Sequence, residues 1–418
     1  MAEQGAEVSS RQGLSFYGWR IVGVVFIMLM VSSGLGFYNL SVFINALSRE
    51  GTFSVDTASN ATSLFFLIGA ASGLAIGKLI DRYDPRYTIC IGAFFAAAGL
   101  VAIGRASTPT ALFASYVLFA IGFSCTSLIP GTTMVARWFS KRRALALSIA
   151  STGLSIGGIV ITPLAAALVG NIGLRDATPI FAIGYILAVV PLTVLMLRQS
   201  PENMGLEPDG VRTHPTERKS GLAGTSFSSA IGTRFFILCT GAYILIFLAQ
   251  VGGLAHQFNL VAERVDTTIA ATAVASLAGA SMVGRFIGGW AISRYSLRMV
   301  TVILIVLEAF SLALLAYSGT IISLLAATVL LGLALGNLLM ALPLLLADAF
   351  GMREYGRIYA TSQAIAQLGV AMGPALVGYL HSVWNGYSIP FVVIAGLALM
   401  GSILFFLAGP TPSPAQND

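Results

Sequence analysis

Residues 73–86 read GLAIGKLIDRYDPR, and residues 285–298 read RFIGGWAISRYSLR. At a constant offset of 212, Gly77 falls on Gly289, Arg82 on Arg294, Tyr83 on Tyr295 and Arg86 on Arg298. In both places an apolar run ends in a cluster of charge. A match at this distance implies two related halves. What surrounds the two copies then decides the fold class.

Apolar runs of about 20 residues recur along the whole chain, each long enough to cross a hydrocarbon layer of about 30 Å. Of the 418 residues, 56% are hydrophobic and only 10% are charged, against roughly 25% charged in a soluble domain. Twelve spans are expected, at 19–44, 58–80, 87–105, 109–136, 144–170, 178–198, 234–258, 268–291, 299–318, 320–348, 358–384 and 386–408. The runs are too long and too uniform for the alternating strands of a membrane barrel. The fold class is therefore all-α, membrane-spanning, with two six-helix halves. A tail at 1–18 leads into the first half at 19–198. A polar linker at 199–233, containing SPENMGLEPDGVRTHPTERKSG, precedes the second half at 234–408 and a tail at 409–418.

Charge placement gives an orientation. With both tails on the cytoplasmic side, eighteen of the 23 Lys and Arg residues lie inside and four lie outside. Arg285 is the one left over, inside a span. The net charge of +6 does not point to nucleic acid, because the basic residues sit in short loops between spans. Cys90, Cys125 and Cys239 all lie in apolar runs and suggest neither a disulfide framework nor a metal site. No Walker loop, zincin helix or His/Cys cluster appears, so no cofactor is expected. The first span is too long for a signal-peptide core. Short tails and loops suggest a bacterial inner membrane.

Within the first copy, Gly73 and Gly77 share a helix face and permit close helix approach. Asp81, Arg82 and Arg86 follow at the inner surface. GKLIDRYDPR resembles the signature of the Major Facilitator Superfamily, G-x-x-x-D-R-x-G-x-R, with Asp84 where the pattern has its later Gly. The resemblance implies two parallel six-helix halves and a cytoplasmic gate in which Asp81 joins a charge and helix-end network. The alternative is a topology signal alone, which needs no Asp. Arg294 and Arg298 belong to the second copy, where Ser293 replaces the acid.

A second resemblance is to the monocarboxylate transporter family. It rests on FYGW at 16–19 and on WFSKRRALALSIASTGLSIGG at 138–158. That family has a Gly-Trp pair before its first helix and Y-F-x-K-R-R-x-L-A-x-G-x-A at its fifth. Phe139, Lys141, Arg142, Arg143, Leu145, Ala146 and Ala150 fit, while Trp138 and Ser148 stand in for the Tyr and Gly. The resemblance extends to oxalate–formate exchangers.

Arg285 lies nine residues before Arg294, roughly 13 Å of helix, too deep for comfortable snorkelling. It is either a structural donor to a neighbouring helix or an anchor for an anionic substrate. The first copy has Gly73 at the matching position, so the scaffold does not require Arg there. The family resemblance implies an eighth-helix Arg as substrate site, with an Asp four residues earlier. Here that residue is Ser281, on the same helix face. The first-helix Lys of animal members is replaced by Tyr38, so their proton relay is not reproduced. His256 is the substitute titratable group, supported by resemblance to related bacterial sequences; its alternative is a structural histidine. Glu308 reads as structural or lipid-facing. Ser362 or Gln363 stands where exchangers resembling this chain place a second cation. One fixed charge suits one carboxylate. Asn337 and Gln363 are further candidate ligands, each equally readable as an interhelical hydrogen-bonding group.

The expected function is secondary active transport of a small organic monoanion such as lactate or pyruvate. Coupling would be to a co-transported proton or by anion exchange, and the partners would be the substrate and the lipid bilayer. Carriers of other organic anions or drugs are the alternative within the class. A transporter-like membrane sensor is the alternative outside it, disfavoured by a linker too short to fold alone. An enzyme is not expected, since the spans hold no catalytic cluster.

Overall fold

The computed structural model describes residues 16–139, 142–210, 224–351 and 353–412, and its named elements are all helices. In hydrocarbon, backbone groups must be satisfied within the segment, and helices achieve this everywhere except at their ends. The sequence supplies caps at those ends. Asp84 precedes Pro85 and Thr108 precedes Pro109, both with proline at the first helical turn. Thr233, Asp266 and Ser296 cap three later spans with their side-chain oxygens. Thr320 and Ser323 form a reciprocal capping box.

The first span comprises α1 (Gly18–Ser32), a π-helical turn at Ser33–Tyr38 and α2 (Leu40–Arg49). Next come α3 (Val55–Arg82) and α4 (Pro85–Ile103). The fourth span breaks at Ser127 into α5 (Pro109–Thr126) and α6 (Leu128–Trp138). The fifth and sixth are helically continuous: α7 (Arg143–Ile156), a π turn at Gly157–Ile161 and α8 (Thr162–Met196). The 52-residue apolar run Leu145–Met196 would be about 78 Å long if straight, far more than one crossing. It turns at Gly173, whose φ of +79° only glycine adopts cheaply. This turn separates the two expected spans.

After a short helix α9 (Phe227–Ile231) come α10 (Arg234–Arg264), α11 (Thr267–Arg294), α12 (Leu297–Tyr317), α13 (Ile321–Phe350), α14 (Tyr355–Trp384) and α15 (Ser388–Leu407). Counted with the turn at Gly173, the described residues form twelve apolar helical spans, as expected. The clearest boundary difference is at α10, which runs six residues past the expected end at 258. Its polar stretch His256, Gln257, Asn259 is buried, so polarity there does not mark a helix end.

Contacts divide the chain into two compact units. One comprises Met1–Asn39, Ile68–Ile161 and Ile172–Glu217; the other comprises Leu40–Leu67, Thr162–Asn171 and Arg218–Asp418. In the first unit, α1 and α7 approach backbone to backbone. A Cβ on Gly153 would meet the Phe26 carbonyl, and one on Gly157 would meet the Met30 carbonyl and the Gly34 nitrogen. Close approach of this kind replaces the hydrophobic driving force that lipid cannot supply. The two stretches behind the second resemblance also meet here. Tyr17 packs against Trp138 with ring centroids 5.5 Å apart, and Trp19 against Phe139 at 5.1 Å. Gly18 leaves room for the Phe16 and Phe139 rings that any Cβ would overlap. Tyr17 Oη donates to the Met196 carbonyl and Trp138 Nε1 to that of Arg198, tying the cluster to the end of the sixth span.

In the second unit, α10 packs on α14 and α11 on α13. Gly369 and Gly373 sit against the carbonyls of Ile244 and Leu248, while Gly332 and Gly336 sit against those of Leu277 and Ser281. Large side chains such as Phe286, Phe310 and Phe406 project outward, more than half exposed, as a lipid-facing surface requires.

Two glycines of the first unit separate packing from propensity. Gly157→Ala places a methyl against backbone that cannot move aside, an overpacking cost of about 1–3 kcal/mol. Gly23 has open space around its Cβ position, so Gly23→Ala gains up to about 1 kcal/mol of helix propensity. Thermal unfolding of the detergent-solubilised protein should fall for the first and hold or rise for the second.

Candidate substrate site and gate

Arg285 lies on α11, half-buried, with its stem on α13. A Cβ on Gly336 would stand 3.0 Å from Arg285 Cγ and 2.7 Å from Ser281 Oγ. The missing side chain at Gly336 therefore makes the slot that holds both. Ser281 is fully buried in that slot, and its hydroxyl has no hydrogen-bond partner among the described residues. Arg285 and Ser281 share a face as expected, with the serine beneath the helix contact and the arginine partly open.

Asn337 makes the interhelical hydrogen bond of its alternative reading. Its amide donates to the Leu333 carbonyl of its own helix at 2.9 Å and to the Gly284 carbonyl at 2.7 Å, and the latter ties α13 to α11 at the residue before Arg285. It positions the arginine's helix. Gln363 is half-exposed on α14, with its amide 3.5 Å from Gln367 Oε1. The neighbouring Ser362 is buried and bonded to Thr240 Oγ1 at 2.8 Å. Tyr38 ends the π turn of the first span, buried and edge-on to Phe37. It belongs to the other compact unit.

His256 stands apart from Arg285 along the membrane. It is eight residues from the Arg264 end of α10, about 12 Å, whereas Arg285 is eighteen residues from the corresponding start of α11, about 27 Å. Its ring is fully buried, with both nitrogens bonded to neighbouring elements. Glu308 is also fully buried, so it is not lipid-facing; neither carboxylate oxygen has a hydrogen-bond partner among the described residues. A cavity of about 420 Å³ between α11, α12 and α13 is lined mainly by aliphatic groups around Gly288, Ile303 and Leu307, and Arg285 is not among its walls.

In the first signature copy, Gly73 would meet Ile129 if it carried a Cβ, whereas Gly77 has open space. Only Gly73 therefore fits the expected close approach. The Asp81 side chain lies outside the described residues. Arg82 is exposed over the Tyr83 ring. Arg86 closes on Asp84 with two donors converging on Oδ2, Nη2 at 2.6 Å and Nε at 2.9 Å. Asp84, the departure from the signature, also accepts from the Arg86 backbone at 3.0 Å as N-cap of α4. The Asp-Pro pair was the available signal for it. In the second copy, Arg298 donates to the Phe406 carbonyl at 2.7 Å and Arg294 stacks over Trp290. Neither has an acidic partner among the described residues. Ser296, at the position matching Asp84, is again the N-cap.

The Major Facilitator Superfamily profile matches residues 25–254 and 231–418, together covering nearly the whole chain. The chain belongs to the Major Facilitator Superfamily. It is similar to "MFS-type transporter 1" of Ophiocordyceps sp., 27% identical over 369 residues, covering 85% of this chain and 77% of the relative. It is 26% identical over 349 residues to monocarboxylate transporter 13 of Rattus norvegicus, covering 79% and 75%. Riboflavin transporter MCH5 of Saccharomyces cerevisiae is 22% identical over 430 residues, covering 97% and 80%. Among solved structures, a bacterial homolog of the human lysosomal transporter Spinster, inward-facing and occupied, superposes with a TM-score of 0.72 at 16% identity, covering 95% of this chain and 97% of that one. The protein is thus a multi-pass membrane transporter.

Burial alone would raise the Asp84 carboxyl, but the hydrogen bonds and charge of Arg86 outweigh it and hold the group below its ordinary value. Its contribution is therefore complete above the unfolded carboxylate value and is lost as pH falls through the folded value. Asp84→Ala should lower stability at neutral pH by about 1 kcal/mol as a lost cap. Asp84→Asn should keep most of the cap but lose the ion pair. In unfolding measurements, the wild type and Asp84→Asn should converge in stability as pH falls through the folded carboxyl value, while Asp84→Ala stays below both by the lost cap.

Proposed function

We propose that this transporter carries a small organic monoanion, of the lactate or pyruvate class, with Arg285 as its carboxylate anchor. The observation that carries this reading is an arginine two-thirds of the way along α11, its stem seated in a slot made by Gly336, at a position where the repeat has glycine. A guanidinium binds a carboxylate with two parallel hydrogen bonds, and partial exclusion of water strengthens the pair. Ser362 and Gln363 on α14 are neutral, which favours one negative charge on the substrate over two. The similarity to monocarboxylate transporter 13 supports the same class.

Alternating access follows from two six-helix halves, 19–198 and 234–408, rocking about a midplane site. The excess of Lys and Arg in one set of loops supports cytoplasmic termini. Asp84 and Arg86 would belong to the cytoplasmic gate, with Asp81 and Arg82 beside them. Coupling would be by proton symport or by exchange of one anion for another. His256 is assigned no substrate contact, because its nitrogens are taken up by protein groups. The similarity to riboflavin transporter MCH5 across 97% of this chain favours a larger organic solute as the second reading.

Uptake of labelled lactate into proteoliposomes, with and without an inward proton gradient, tests the proposal. Arg285→Ala should raise KM at least about thirtyfold, as expected for about 2 kcal/mol or more on losing one partner of a buried charge pair. Arg285→Lys should recover only part, having charge without the fork. Undiminished uptake in Arg285→Ala would sink the anchor. Uptake of riboflavin with none of lactate or pyruvate would favour the second reading.

A further inference from the structure

At the Arg264 end of α10, segments from opposite halves of the sequence are joined. Ser59 and Ser63 on α3 face α10 and α14, and all of these residues lie in one compact unit. His256 Nε2 is 3.1 Å from the Pro374 carbonyl and 3.2 Å from Ser59 Oγ, and Nδ1 is 3.2 Å from Tyr387 Oη. A carbonyl can only accept, so Nε2 carries the proton and Nδ1 accepts from the Tyr387 hydroxyl. Ser59 already donates to the Val55 carbonyl at 2.5 Å, so it too accepts from Nε2. One neutral imidazole therefore joins α3, α10, α14 and the residue that precedes α15.

The surroundings are built to the same end. Ser63 Oγ accepts from the Ala375 backbone at 2.8 Å, one residue beyond the proline inside α14. Gly378, one turn further, has no room for a Cβ because Ser59 occupies that space. Asn259 donates to the Ser41 carbonyl at 3.3 Å, which adds α2 to the junction. His381 stacks on Tyr387 with centroids 4.3 Å apart and pairs with Glu263 at 3.2 Å, buttressing the tyrosine.

We propose that His256 is a positioning residue, the pin that holds α3 against α10 and α14 and so keeps this end of the transport path closed. The step from pin to path rests on the reading that the two six-helix halves are the moving bodies; it does not rest on the substrate class. Opening this end requires Ser59 and Ser63 to leave His256 and Ala375 together. The charge count places this end outside.

The test uses the full chain with Cys90, Cys125 and Cys239 replaced by alanine and spin labels at Thr52→Cys and Ser382→Cys, both exposed. Double electron–electron resonance reads their separation in lipid nanodiscs without substrate. The starting protein should show a dominant short distance. His256→Ala should raise the ratio of the long-distance to the short-distance population about tenfold, equivalent to losing a little over one net hydrogen bond. His256→Gln should restore the short distance, since its amide can donate to Pro374 and accept from Tyr387. Gly378→Ala should open the same contact without touching the histidine. A wild-type distribution in His256→Ala beside an opened Gly378→Ala would overturn the pin, as would a His256→Gln variant as open as the alanine one. Unchanged distances in every variant would overturn the gate itself. If His256→Ala fails to fold, Tyr387→Phe takes its place, and its failure to lengthen the distance overturns the pin. Loss of lactate uptake by the starting protein would remove only the substrate reading.

Discussion

Helices in lipid cannot be held together by escape from water, and that constraint shapes the packing throughout this protein. Association must come from close fit and from hydrogen bonds that have no aqueous competitor. The chain meets the first need with glycine facing backbone: Gly153 and Gly157 against α1, Gly332 and Gly336 against α11, Gly369 and Gly373 against α10. It meets the second with isolated polar groups that bond across helices, such as the Ser32, Thr126 and Tyr185 hydroxyls and the Asn337 amide. The same devices place function. The glycine that brings α13 onto α11 also leaves the slot in which the Arg285 stem lies.

The two signature copies show how one inherited element can serve different ends. Both begin a helix with a side-chain cap, Asp84 in one and Ser296 in the other. Aspartate can also take an arginine, and Arg86 turns back onto it. Serine cannot, and Arg298 instead reaches the last carbonyls of α15. That is a favourable place for a cation, since carbonyl dipoles converge at a helix C-terminus. At the other end of each copy the divergence is larger. Gly73 packs against Ile129, whereas Arg285 occupies the matching place in the second copy.

Span number and repeat were legible in the sequence because both depend on long-range composition and on spacing, which survive without knowledge of contacts. So were the starts of most helices, where capping residues sit next to prolines or apolar runs. The interior breaks were harder. The π turns at Ser33–Tyr38 and Gly157–Ile161 lie inside long apolar runs, with paired glycines but no proline to mark a break. They pack against each other where α1 meets α7, a contact that composition does not reveal. The polar residues were least legible. Asn337, Ser362 and Thr126 look like cavity groups in a sequence, since any polar residue in a span raises that expectation. Their bonds show that they join helices. Glu308 is equally opaque: its burial follows from how α12 packs, which neither its neighbours in sequence nor its charge reveals.

The placement of His256 changes what coupling would require. A residue that carries a proton with the substrate has to meet water on each side in turn and lie near the anion it accompanies. His256 is about 15 Å nearer than Arg285 to one end of its half, judged from helix rise alone. Its Nε2 proton is committed to a proline carbonyl and its Nδ1 lone pair to a tyrosine. A second proton on Nδ1 would make the Tyr387 hydroxyl give up its donor role to His256, and the nearby acid, Glu263, is already engaged with His381. The ring is suited to holding helices together and poorly suited to carrying charge between two solutions. Ser281, on the same helix face as Arg285, cannot take up a proton at ordinary pH. Exchange of one monoanion for another needs no protein proton carrier at all. It asks only that the proposed anchor, Arg285, meet a carboxylate in each direction.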